Sequence, residues 1–145
     1  MAQEAVPTLA RVNFDCIDWK TGKTFTKPEL FPGARRTRLV DMEHLEEVCR
    51  DITSDDYICV MTRGHQHDFL VEKQILRTPA SYIGVIGSRR KKASVFRVLK
   101  EDGFTDRDLE RITTPIGLEI GAETPAEIAI SIAAQMIEVR AKVRK

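Results

Sequence analysis

Gly87-Ser88-Arg89-Arg90-Lys91-Lys92 places four cations directly behind the apolar run YIGVI at 82–86. Ser88 is a residue type that caps helices, so the four cations fall in the first turn of the helix that follows. There the positive end of the helix macrodipole disfavours each of them by about 0.3–1 kcal/mol at low salt. Cations placed against a dipole call for a compensating anion. The free N–H groups of the turn, the close approach that Gly87 permits and the guanidinium forks of Arg89 and Arg90 together suit a phosphate or a similar oxyanion. The alternative is a solvated basic helix face balanced by Glu101 and other carboxylates.

A second polar segment, TRGHQHD at 62–68, stands directly behind the apolar run YICVM at 57–61. Three chemistries are open to it. Thr62, Arg63, the flexible Gly64, His65 and His67 can hydrogen-bond a polar ligand in a crevice; His65 and His67 with Asp68 form a ligand set used by some metals; or Asp68 caps the next helix in a structural loop. Asp18, at the end of an earlier strand, stands where a Rossmann unit puts the acid that bonds a ribose hydroxyl. No GxGxxG turn accompanies it, and eleven residues before Val12 are too few for a strand, a glycine turn and a helix. His65 or His67 leaves acid–base chemistry open, but spacing identifies no nucleophile with an adjacent base.

These segments need strands and helices to hold them. VNFDCIDW at 12–19 alternates apolar and polar residues as a strand does, and Thr37–Val40 suits a short second strand. Asp41 is placed to cap a helix over Glu43–Arg50. Tyr57–Met61 and Tyr82–Ile86 are apolar throughout, the pattern of strands covered on both faces. Helical patterns run over Phe69–Leu76, over Arg89–Glu101 with Val95, Val98 and Leu99 on one stripe, and over Thr105–Arg111. Thr124-Pro125-Ala126-Glu127 opens a last helix to about Arg140, whose apolar body Ile128–Ile137 reads as buried. Strands alternating with helices imply βαβ units and a parallel sheet in a doubly wound α/β fold. In such sheets ligands bind beyond the carboxyl ends of the strands, so Asp18, 62–68 and 87–92 are expected to face one crevice.

Composition narrows the partners. The 145 residues carry 23 Lys and Arg against 22 Asp and Glu, a formal net charge of +1, which lacks the electrostatic footprint of a general nucleic-acid binder. The longest apolar stretch is about half of the ~20 residues that span a membrane, and the N-terminus has neither the basic start nor the apolar run of a secretory signal, so a cytoplasmic address is expected. Cys16, Cys49 and Cys59 form no CxxC pair and are odd in number, against both a disulfide framework and a zinc knuckle. Cys16 and Cys59 read as small buried thiols.

TRGHQHD, YIGVIGSRRK and PIGLEIGAETPAEIAISIAAQM (Pro115–Met136), in that order and spacing and with FPGA at 31–34, resemble the C-terminal Rossmann-like domain of the xanthine dehydrogenase accessory factors, the XdhC/CoxI family. The resemblance runs from about Val12 to Arg140. It implies a three-layer α/β/α Rossmann-like fold with a mostly parallel sheet. It further implies a maturation chaperone that binds molybdenum cofactor (molybdopterin), protects it during sulfuration by a cysteine desulfurase, and helps insert it into a xanthine dehydrogenase-type molybdenum hydroxylase. Members of the family carry an N-terminal domain with a cysteine motif, and open the Rossmann domain with a strand and a glycine-rich turn; neither is found in this sequence. The loss of that central strand exposes two edges, an association hazard, so the expectation is a truncated or split domain whose gap is closed by rearranged pairing, by a homo-oligomer or by a complementing chain. Two other functions compete: an NAD(P)-dependent oxidoreductase or dinucleotide sensor using Asp18, and a ligand-free interaction module.

Overall fold

A computed structural model describes residues 14–19, 29–62 and 65–143. Val12, Arg63 and Gly64 lie outside them. The chain order is β1 (Asp15–Trp19), β2 (Arg36–Val40), α1 (Glu46–Arg50), β3 (Tyr57–Val60), α2 (His65–Ile75), β4 (Tyr82–Val85), α3 (Arg89–Glu101), α4 (Asp106–Leu109), β5 (Ile112–Thr113) and α5 (Pro125–Val143).

Every strand pairing is parallel, as the α/β alternation predicts, but the strands form two sheets rather than one. β1 pairs with β2, and β3, β4 and β5 follow one another in the second sheet. Among the described residues no strand joins the two. Two parallel strands alone are a weak unit, and this pair has a side-chain clasp. Asp15 accepts hydrogen bonds from Arg35 Nε and Nη2 at 2.9 Å each, and from Arg36 Nε and Nη2 at 3.1 and 2.9 Å. The Arg35 hydrogen bonds lead in holding the Asp15 carboxyl below its ordinary range.

The β3–β4–β5 sheet carries the core. One face presents Val60, Ile83, Val85 and Ile112 to Val71 and Ile75 of α2 and Val95 and Leu99 of α3, all buried. The other face carries Tyr57 and Tyr82, whose rings stack with centroids 6.0 Å apart, then Cys59 opposite Gly84. Over β4 this face is covered from α5, where Gln135 Oε1 accepts from the Tyr82 hydroxyl and from the Gly117 N–H. Helices on both sides make the three layers. Ile116 lies so close to Gly84 that a Cβ there would meet Ile116 Cδ1 at 2.6 Å, which explains a glycine inside a fully buried strand.

Several element expectations are corrected. β3 is covered on one face only: Cys59 is exposed and Cys16 is half-buried, so neither is the fully buried thiol expected. α1 starts at Glu46, and Asp41 does not cap it; its Oδ1 accepts from the Glu43 N–H in a tight turn instead. α2 starts at His65, taking in residues read as a loop. α5 is not an all-round buried helix, because Ile130 and Ile137 are exposed and its fully buried residues are Ala129, Ser131 and Ile132. α3 matches its expected limits, and β5 was not foreseen, its pairing being two residues long.

Gly84→Ala forces a methyl group against Ile116 and Tyr82 and is expected to cost about 1–3 kcal/mol. Thermal or urea unfolding measures it; unchanged stability would show that α5 and its preceding loop do not press on β4 as described.

Candidate functional site

β3 and β4 are adjacent and parallel, so the chain leaves both at the same end of the sheet, and the ladder runs on as the Ile86 N–H donates to Val60 O at 3.0 Å. Gly87 then adopts φ +154°, and a Cβ there would stand 2.9 Å from Lys91 Cδ. Ser88 is extended, and its Oγ accepts from the Lys91 N–H at 3.2 Å, capping α3 as its type predicts. That cap leaves the Arg89 and Arg90 N–H groups, which precede any intrahelical acceptor, at the head of the helix. Both side chains are exposed. Arg89 Nη2 meets Glu119 Oε1 at 3.2 Å in a pair whose side chains are 83% and 87% exposed, a contact that water screens and an arriving anion can replace.

The segments 62–68 and 87–92 do meet, but not as a pocket of donors alone. Asp68, 0% exposed, lies between them: its Oδ1 accepts from the Thr62 hydroxyl and its Oδ2 pairs with Lys91 Nζ. Asp68 is therefore neither a ligand-facing carboxylate nor the cap of α2, but a buried member of that helix's first turn. Lys91 is not a free cation either, since its side chain is 16% exposed and turned onto Asp68. The cations left for an anion are Arg89 and Arg90, with Lys92, half-buried, over the Phe96 ring at 5.3 Å. His65 and His67 belong to the start of α2; their side chains, with Arg63 and Gly64, lie outside the described residues. Asp18 is in β1 opposite Leu39, on the other sheet, and its side chain lies outside the described residues.

The structure adds a residue that motif reasoning missed. Glu72 follows Asp68 by one helical turn, is 2% exposed, and its Oε2 has no hydrogen-bond partner among the described residues. Burial first, then the Asp68 charge, pushes its carboxyl up to about 8 against the opposing pull of Lys91. The signal was present as an acid flanked by Val71 and Ile75 on a core-facing stripe. Cys59 keeps accessible surface yet is hemmed in by its neighbours, and burial pushes its thiol up to about 11, which suits a poor nucleophile.

Beside the α3 turn the open face of the sheet ends in Met61 and Ile86, 55% and 37% exposed. They continue the alternation of Cys59 and Gly84, so a bare apolar strip adjoins the cationic turn. At the start of α5 a carboxylate of the chain takes up donors instead: Glu127 Oε2 accepts from the Glu123 and Thr124 N–H groups at 2.8 and 3.0 Å. Among the described residues no three His, Cys, Asp or Glu side chains are grouped to hold a metal ion, and no helix is long and apolar enough to cross a membrane.

Comparison with known proteins adds four findings. The family model described as the XdhC Rossmann domain matches residues 1–136. The chain is 34% identical over 135 residues to the uncharacterized protein YqeB of Escherichia coli (strain K12), covering 92% of this chain and 24% of that protein. It is 29% identical over 126 residues to a probable xanthine dehydrogenase subunit from Bacillus subtilis (strain 168), covering 87% and 35%. Among solved structures, a xanthine dehydrogenase from Bacillus halodurans superposes with a TM-score of 0.68 at 30% identity, over 90% of this chain and 36% of that one. The chain thus spans about a quarter to a third of the length of these relatives.

Glu72 holds its proton to about pH 8 in the folded chain, against an ordinary value of 4.5. The folded state binds more protons between those values, so stability falls as pH rises through that window and levels off above it. Glu72→Gln is expected to abolish this slope, matching the parent near pH 4.5 and exceeding it at pH 8 in urea unfolding; parallel curves would show that Glu72 is ionised throughout. Lys91→Met strands the buried Asp68 charge and is expected to cost about 3–5 kcal/mol; a change under about 0.5 kcal/mol, the scale of an ordinary surface substitution, would show that the pair is not buried as described.

Proposed function

The chain belongs to the XdhC Rossmann-domain family, and we propose that it is an accessory factor that binds molybdenum cofactor and serves a xanthine dehydrogenase-type molybdenum hydroxylase. The relationship to xanthine dehydrogenase proteins supports the enzyme class. The observation that carries the ligand class is the juxtaposition of a cationic helix head with a bare apolar strip, Arg89 and Arg90 beside Met61 and Ile86. A flat ring bearing a phosphate presents the two complementary surfaces.

The residues present fit such a group at its phosphate end. Among the described residues the Arg89 and Arg90 guanidinium forks make only the exposed Glu119 contact, and Gly87, with no side chain, lets the Lys91 stem pack against the turn. Met61 and Ile86 shield one side of the ring from water. Lys91 and Asp68 hold the turn in place from beneath rather than touching the ligand, so they are positioning residues. The cofactor, when bound, supplies the molybdenum centre; the chain binds it, orients it and keeps water from it. Hand-over to the hydroxylase, with sulfuration by a cysteine desulfurase before it, is the sequence of events this role fits.

Calorimetry with molybdopterin, NAD and inorganic phosphate tests this. Molybdopterin is expected to bind most tightly, and Arg89→Ala or Arg90→Ala to weaken it about tenfold, with stability within about 0.5 kcal/mol of the parent. Equal affinity in both variants, or tighter binding of NAD, would overturn the assignment.

A further inference from the structure

Beneath the turn that receives the anion lies a charged cluster that binding does not use. Asp68 and Glu72 are four residues apart on α2 and so share one face of that helix, 0% and 2% exposed. Lys91 reaches Asp68 from α3. One ammonium therefore pairs with Asp68 and acts on Glu72 only through its charge, and Glu72 Oε2 is left without a hydrogen-bond partner among the described residues. Lys91 also belongs to the anion turn: its N–H bonds Ser88 Oγ, and its side-chain stem fills the space beside Gly87. Thus one residue links the buried acids to the ligand's seat.

We propose that Glu72 makes anion binding at Gly87–Arg90 proton-coupled. With Glu72 protonated, the Asp68–Lys91 pair is neutral and Arg89 and Arg90 set the field at the turn. With Glu72 ionised, the cluster carries a net negative charge directly under the ligand, repels it, and draws Lys91 inward. The proton is taken from water on binding and returned to water on release, so ligand release is favoured on the alkaline side. Among the described residues the charged groups that act on Glu72 are Asp68 from its own helix and Lys91 from α3; β3 and β4, YICV and YIGV, contribute no charged side chain, and α1 makes no described charged contact with it. Burial that pushes Glu72 up to about 8 places the transition near neutral pH.

The inference rests on the anion site proposed above, and its test separates the two. Sulfate, which does not titrate between pH 6 and 9, is titrated into the parent chain and Glu72→Gln while the Arg89 and Arg90 amide resonances are followed by NMR. Every other group is common to both proteins, so the difference between them isolates Glu72. The expected result is a parent Kd about tenfold weaker at pH 9 than at pH 6.5, beyond any change in the variant, which keeps its affinity at pH 9. A parent with pH-independent binding, or a variant with the parent's slope, overturns the proton coupling and leaves the site standing. No response of the Arg89 and Arg90 amides in either protein at any pH overturns both.

Discussion

A single buried carboxylate decides how the ends of β3 and β4 meet. Asp68 has no exposure, and an ion in that position is tolerable only when its oxygens are met by donors. Thr62 comes from the end of β3 and Lys91 from the first turn of α3, so satisfying Asp68 pins three elements at one point. The turn that carries Arg89 and Arg90 is held from beneath while its upper side stays open. A rigid floor under an exposed cationic helix head is what an anion site requires, because donors fixed in advance lose little freedom on binding.

The same satisfaction removes Lys91 from the ligand's reach. Four cations in a row invite the view that all four serve the anion, whereas they divide: Lys91 faces Asp68, Lys92 lies over Phe96, and Arg89 and Arg90 remain outward. The division follows from helical geometry. Residues in one turn point in different directions, and those on the side of α2 are drawn to its acids.

Much of the fold was legible from periodicity. The limits of α3, the cap at Ser88, the cap and first position of α5 and the buried strand at 82–85 follow from local chemistry that tertiary packing does not override. The start of α2 was hidden because His65, Gln66, His67 and Asp68 are all polar, and a polar first turn looks like a loop until it is seen that Asp68 faces inward. The exposure of Cys59 and of Ile130 was hidden for the opposite reason: apolar character states what a side chain prefers, and only the arrangement of layers decides which apolar positions are covered. The meeting of 62–68 with 87–92 was legible from the rule that parallel strands deliver their loops to one rim. The carboxylate between them was present in the motif, yet its inward direction depends on a helix start that the polar run concealed. The division into two sheets follows from pairing between distant segments, to which local patterns are blind.

Where an anion sits is the most direct test of this account. Crystals equilibrated with selenate and measured for anomalous scattering should show a selenium peak at hydrogen-bonding distance from the Arg89 and Arg90 N–H groups, over Gly87, with Lys91 still turned toward Asp68. A peak confined to other basic residues, or none at that turn while selenate is bound elsewhere, would contradict the claim that the head of α3 is the ligand's seat.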